Sequence, residues 1–210
     1  MSSIYARCLK RPCDLVAAAV LVILLAPVMA VVAVAVWIAL GRPILHADER
    51  AGLHGRPFRI RKFRSMSMAV DAAGRPLPDE QRLGPFGRFL RRTSLDELPQ
   101  LFHVLRGEMS LVGPRPLPTR YVARYSARQA TRLAVRPGLT GWAQIHGRNA
   151  VDWPQRLEYD ARYVERLARP TAPLTDLWVV AVTALQVLRQ AFTGRGISGP
   201  GAATMHEFAP

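Results

Sequence analysis

Apolar and polar residues divide this chain into two regimes. From Leu15 to Leu40 there is no charged residue, whereas beyond Gly41 arginines, acids and apolar side chains mix at short spacing. The uncharged stretch is long enough to span a bilayer with some tilt. It is too long for the core of a signal peptide, and no convincing cleavage site follows it. Pro27 stands at its middle, where the missing N–H and the ring kink or break a helix. Each half is then about 12 residues, roughly 18 Å, which reaches about one leaflet. Positive residues flank both ends, with Arg7, Lys10 and Arg11 before and Arg42 and Arg50 after. The positive-inside tendency places both ends in the cytoplasm. A re-entrant helix-break-helix satisfies both observations. The alternative is an ordinary transmembrane helix with a tolerated proline.

The remaining pattern predicts an α+β fold that is mostly helical. Phe58 to Phe63 alternates basic and apolar residues after a turn at His54 to Pro57. That predicts a short strand with a cationic face, in which Arg59, Arg61, Lys62 and the following Arg64 can grip phosphates. The same pattern also suits a solvated edge strand guarded by its charges. Ala69 to Gln81, with Gly74, Pro76 and Pro78, reads as a loop. Asp160 and Tyr163 fall on a predicted helix. In a second apolar stretch, Leu174 to Phe192, residues Leu177, Trp178, Ala181, Leu185 and Leu188 recur at helical spacing. Thr175 is its expected N-cap, with Asp176 in the first turn and Arg189 in the last. This helix suits a membrane interface, with Trp178 at headgroup level, as well as it suits a core. Only Leu15 to Leu40 then reads as a membrane insertion. The expected organisation is a membrane anchor over 1–41, a cytoplasmic working domain over 42–193 with amphipathic interfacial helices and a short β element, and a tail over 194–210. That tail, rich in Gly, Ala and Pro, is expected to be disordered.

Charge sharpens the choice of partners. The net charge is +14, and of 29 basic residues only Lys10 and Lys62 are lysines. Arginine offers planar, bidentate contact to phosphate, although genome composition also enriches it. Such a surplus implies anionic partners: nucleic acid, lipid headgroups or nucleotides. Cys8 and Cys13 have neither metal-site nor disulfide spacing, and free thiols in a reducing compartment are expected.

Three stretches carry candidate chemistry. In the first, Asp96 and Glu97 stand side by side after Arg88, Arg91 and Arg92. Ser94-x-x-Glu97 is a capping-box pattern, but that frame puts Pro99 in a helix interior. With Asp96 as N-cap, Pro99 falls in the first turn, and this frame is preferred. A carboxylate held at a helix start beside arginines is ionised and aimed. It can bind magnesium or attack phosphorus, or it can simply cap. In the second, Pro114 and Pro116 restrict the backbone on both sides of Arg115, holding a guanidinium in place for phosphate. A rigid structural turn is the alternative. In the third, Arg136 to Arg148 forms a glycine-punctuated loop whose N–H groups can cradle anions.

These residues together resemble the small bacterial sugar transferases, the monotopic phosphoglycosyl transferases that initiate glycan assembly. The resemblance runs from about Lys10 to Phe192. It rests on Lys10-Arg11-x-x-Asp14, Pro43 to Gly52, Lys62 to Met66, Ser94 to Gln100, Met109 to Pro116 and Pro137 to Asn149, in order and at family spacing. It implies a re-entrant helix broken near Pro27, and a catalytic Asp96–Glu97 pair with Asp96 as nucleophile. It also implies Mg2+ at that pair, a UDP-sugar donor and an undecaprenyl phosphate acceptor. Lys62, Arg64, Arg91, Arg115, Arg148 and Asp160 are the expected substrate- and phosphate-binding residues. The expected place is the bacterial inner membrane, with the working domain facing the cytoplasm, membrane lipid as a partner and no nucleic acid. Oligomeric state is left open, a homo-oligomer included. Asp48 stands where the family usually has Gln, and His103 where it usually has Asn. A rival reading, a non-enzymatic basic membrane protein binding anionic lipid or nucleic acid, explains charge and anchor but not the paired carboxylates.

Overall fold

A computed structural model of the chain describes residues 3–147, 151–193 and 208. A π-helical turn at Tyr5–Leu9 leads into the long helix α1 (Lys10–Leu40). Strands β1 (Leu45–Ala51) and β2 (Pro57–Phe63) form an antiparallel hairpin in the register Leu45 to Phe63 and Ala51 to Pro57. Short helices α2 (Asp79–Arg82) and α3 (Pro85–Arg92) follow. A 3-10 turn at Leu95–Gln100 then runs into α4 (Leu101–Arg106). Strand β3 (Ser110–Val112) pairs in parallel with β4 (Gly138–Thr140). Between them lie 3-10 turns at Thr119–Arg124 and Thr131–Ala134 and the one-turn helix α5 (Ala127–Ala130). Helices α6 (Trp142–Ile145), α7 (Trp153–Leu167) and α8 (Ala172–Thr193) complete the described chain. The expected mostly helical α+β architecture holds.

Helix α1 is fastened to the rest of the domain along its length. Near its start, Arg11 donates to the carbonyls of Val104 and Leu105, and the buried Asp14 accepts from the Ser110 hydroxyl and the Leu111 N–H. Lys10 reaches Asp176 on α8 at 2.6 Å. Towards its end, Met29, Val32 and Val36 pack with Phe63 and Leu90. At its C-terminus, the carbonyls of Leu40 and Gly41 accept from the Arg64 guanidinium. The outer face stays apolar and exposed through Val16, Val20, Ile23, Leu24, Val31, Val34 and Ile38. Both faces are thus apolar, and they differ in what they meet.

Two expectations are corrected here. Pro27 lies inside one uninterrupted helix and does not divide it into two. Val22 before the proline and Met29 after it both join the cluster with Phe63 and Leu90, which ties the two halves of the helix to the same surface. Thr175 does not cap α8, because the helix begins three residues earlier, at Ala172, and Thr175 donates its hydroxyl back to the Thr171 carbonyl. Exposure separates the two sides of α8. Leu174, Leu177, Trp178, Leu185, Leu188 and Phe192 form an exposed apolar stripe, while Thr175, Asp176 and Val179 are buried. This helix covers the domain with its buried side and offers its apolar stripe outward. Among the described residues two helices, Tyr5–Leu40 and Ala172–Phe192, are long and apolar enough to cross a membrane by length and composition, one more than expected.

Gly87 lets α3 lie against the segment that follows β2. A Cβ there would sit 1.8 Å from the Ser65 carbonyl oxygen, so the two backbones touch. Gly87→Ala is expected to lower stability by about 2 kcal/mol or more despite alanine's better helix propensity. Thermal unfolding of the purified chain measures it, and an unchanged midpoint would show that α3 can move away freely.

Candidate active site

Four elements converge on Asp96. Lys62 sits near the end of β2, Arg91 on α3, Asp96 and Glu97 on the 3-10 turn, and Arg115 on the Pro-Arg-Pro turn after β3. Ser94 turns the chain into this 3-10 segment with a left-handed backbone (φ 55°) and makes no side-chain cap. The preferred N-cap frame for Asp96 is therefore corrected. Asp96 lies inside a 3-10 turn that tolerates Pro99, and α4 begins only at Leu101. The close approach of Gly113 to Gly138, where a Cβ on Gly113 would meet the Arg136 carbonyl at 2.5 Å, fixes the start of the arginine turn.

The electrostatics follow from this convergence. Asp96 is only 4% exposed. Burial, and then the neighbouring charge of Glu97, push its carboxyl up to about 7 against the pull of Lys62, Arg91 and Arg115. Burial also draws Lys62 below the usual ammonium range, with Asp96 opposing that drop. Arg115 donates to Glu97 at 2.7 Å, and this carboxylate holds the guanidinium firmly charged. Its side chain remains 44% exposed, so it can also face a ligand. Arg91 donates to the Ser65 hydroxyl at 3.0 Å, which aims the side chain. A buried carboxylate among cations is thus poised to change charge near neutral pH.

The structure brings Lys62, Arg91, Asp96, Glu97 and Arg115 into mutual electrostatic range. Two other expected residues are placed elsewhere. Arg64 is buried, and its guanidinium donates to the carbonyls of Leu40, Gly41 and Arg42, closing the C-terminus of α1. Its cation meets the negative end of a helix. Asp160 is buried on α7 and accepts from Arg132 at 3.0 Å. Arg132 also donates to the Arg115 carbonyl and to the Tyr125 hydroxyl. Asp160 thus holds the platform beneath the arginine turn. Arg132 had no local signal, being one arginine among many without a motif. Arg148 lies outside the described residues.

The two atypical positions have separate explanations. Asp48 on β1 pairs with Arg50, away from the Asp96 cluster. His103 is buried in α4. Its Nε2 accepts from the Arg61 N–H at 3.0 Å, so Nδ1 carries the proton donated to Glu108 at 2.6 Å. It pins β2 to α4, next to the turn that carries Asp96. Beside it, an apolar cavity of about 530 Å³ opens between Val22, Ala26 and Met29 of α1 and Phe63, Pro99 and Phe102.

The chain matches the model of the bacterial sugar transferase family over residues 5–190. The chain belongs to the bacterial sugar transferase family. This sugar transferase is 44% identical over 180 residues to the uncharacterized sugar transferase EpsL of Bacillus subtilis, covering 86% of this chain and 87% of that one. It is 37% identical over 204 residues to the undecaprenyl-phosphate galactose phosphotransferase of Salmonella typhimurium, covering 88% of this chain but 41% of that protein. A glucose-1-phosphate transferase of Caulobacter vibrioides, acting from UDP-glucose to undecaprenyl phosphate, is 46% identical over 143 residues, covering 66% of this chain and 54% of its own. The sugar transferase therefore spans about half or less of the relatives whose reactions are named.

Among the described residues no cluster of three or more His, Cys, Asp or Glu side chains forms a metal cage. The paired carboxylates nevertheless fit magnesium, which takes one or two carboxylates together with substrate phosphates and water. The raised Asp96 carboxyl beside Glu97 marks a place where an added cation relieves repulsion.

The raised carboxyl has a measurable consequence for activity. Were Asp96 the attacking nucleophile proposed below, it would first have to lose its proton, and kcat/KM for a nucleotide-sugar donor is then expected to fall with unit slope as pH drops below about 7. The stability linkage has the opposite sign. Folding favours protonated Asp96, so its contribution is fully present below pH 3.8 and is lost as pH rises through about 7. A flat pH–rate profile between pH 5 and 8 would remove Asp96 from the rate-determining protonation.

Proposed function

We propose that this sugar transferase moves a sugar 1-phosphate from a UDP-sugar to a polyprenyl (undecaprenyl) phosphate, releasing UMP, as the first membrane step of bacterial surface glycan assembly. The observation that carries this reading is a single buried carboxylate, Asp96, set among Lys62, Arg91 and Arg115. The reactions named for relatives from Salmonella and Caulobacter support it.

In the first half-reaction an Asp96 oxygen attacks the phosphorus that bears the sugar. A bond forms from Oδ to phosphorus, and the bond from that phosphorus to the bridging oxygen breaks, so UMP leaves with the electron pair. In the second, an oxygen of polyprenyl phosphate attacks the same phosphorus, and the Oδ bond breaks to restore the carboxylate. Splitting the transfer lets one site serve a soluble and a lipid substrate in turn. Arg115 stands exposed beside Glu97 to balance charge on the phosphoryl oxygens, with Lys62 and Arg91 behind it. Asp96 and Glu97 are the residues that would hold magnesium, which offsets phosphate charge when bound.

The membrane setting follows the same residues. Both ends of α1 are fastened to one domain, through Arg11 at its start and Arg64 at its end. A helix held in this way lies along the domain, and its exposed apolar face supports burial in one leaflet of the inner membrane, with residues 42–193 in the cytoplasm. The exposed apolar stripe of α8 supports contact with the same lipid surface. No role for nucleic acid is needed.

The test is UMP release from a panel of UDP-sugars by the full chain in lipid vesicles. Release that needs both magnesium and polyprenyl phosphate for multiple turnovers is expected. No release from any donor, with the chain folded, would leave only the rival of a basic lipid-binding protein.

A further inference from the structure

We propose that Phe208 is a latch: it docks in an aromatic pocket on the far side of the arginine turn and so positions Arg115. Phe208 lies beyond residue 190, where the match to the family model ends. The positioning role rests on the reading of Arg115 given above.

Phe208 is 2% exposed. Its ring lies 5.5 Å from Tyr121, 5.5 Å from Trp153 and 6.0 Å from Tyr125, within the range in which aromatic pairs attract. Leu117 and Leu157 complete the pocket. Both backbone groups are also held, the N–H by the Tyr121 hydroxyl at 3.2 Å and the carbonyl by Arg124 at 2.7 Å. A residue gripped by its ring and both peptide groups is docked specifically, and not merely shielded from water.

The pocket wall is the continuation of the arginine turn. Leu117 is two residues beyond Arg115, and its carbonyl accepts from the Ala51 N–H on β1. Tyr125, in contact with Phe208, accepts through its hydroxyl from Arg132 at 3.0 Å. The same guanidinium donates to the Arg115 carbonyl and to Asp160. The contacts therefore run from Phe208 to Tyr125, to Arg132 and to the backbone of Arg115. Docking removes freedom from the segment that aims the exposed guanidinium, and small errors in aiming cost rate.

Two measurements on the full chain test the latch. In Phe208→Ala, hydrogen exchange is expected to quicken across residues 115–132 while α1 and β2 keep their protection. This readout needs no activity, so it stands even if no UDP-sugar is turned over. For UMP release, Phe208→Ala is expected to lower kcat about ten-fold with little change in KM for the donor. Phe208→Trp should restore most of it, as should a peptide of residues 201–210 added to Phe208→Ala, whereas the same peptide with alanine for phenylalanine should not. Tyr125→Phe, which keeps the ring and loses the acceptor, should give a loss that does not add to that of Phe208→Ala. Unchanged exchange at 115–132, or a kcat that stays level or rises, would overturn the latch.

Discussion

Asp96→Asn is expected to abolish turnover, lowering UMP release by about 10³-fold or more, while the chain stays folded. The substitution keeps shape and polarity at a site only 4% exposed, so packing is preserved. An amide lacks the anionic oxygen that the proposed attack on phosphorus needs. The stability effect separates this outcome from misfolding. Burial and Glu97 make the Asp96 charge unfavourable in the folded state, as its raised carboxyl shows. Removing that charge should leave the unfolding midpoint unchanged or higher above pH 7. Trapping with donor labelled in the phosphate next to the sugar gives the second readout. The native chain should retain label after denaturation and Asp96→Asn should not. Label retained on Asp96→Asn would transfer the nucleophile's role elsewhere, with Glu97 the first candidate.

Arg132→Ala is expected to be the most destabilising change outside the apolar core, at about 3–5 kcal/mol, because it strands a buried carboxylate. The side chains of Arg132 and Asp160 are each 2% exposed, and their pairing is 3.0 Å. Burial already pushes the Asp160 carboxyl up, and Arg132 is the main group that opposes this. Without Arg132 the acid must lose its charge or admit water. The variant should therefore unfold on the order of 10 °C lower and recover part of the difference at acidic pH, where Asp160 is protonated. The double change Arg132→Met with Asp160→Leu should cost less than either change alone. Equal stability of Arg132→Ala and the native chain would mean that Asp160 is not dependent on that guanidinium. Because Arg132 also holds the Arg115 carbonyl, the same variant should lose activity even at temperatures where it is folded.

Much of the candidate site was legible in the sequence because its signals are local. Asp96 and Glu97 adjoin each other, Pro114 and Pro116 bracket Arg115, and Lys62 stands in an alternating strand. These residues do gather around one carboxylate. Arg64 and Asp160 show where local reasoning ends. Arg64 sits in the same cationic run as Lys62, yet its charge goes to the end of α1. Asp160 looked like a ligand group, and its partner Arg132 could not be picked from among the many arginines.

The apolar run that became α1, the cationic strand β2, the helix around Asp160 and the amphipathic α8 were determined by periodicity and charge along the chain itself. Neighbouring residues settle such features through backbone geometry and a two-sided choice between water and apolar surroundings. Pairings between distant residues were decided only in three dimensions: β1 with β2, β3 with β4, Glu97 with Arg115, Arg132 with Asp160, and Phe208 with Tyr121. So was the continuity of α1 through Pro27, which contacts along its length sustain. A side chain's charge is written in the sequence, but which opposite charge it meets depends on how distant segments pack. In this protein that packing turns a common Asp-Glu pair into a buried, cation-ringed carboxylate.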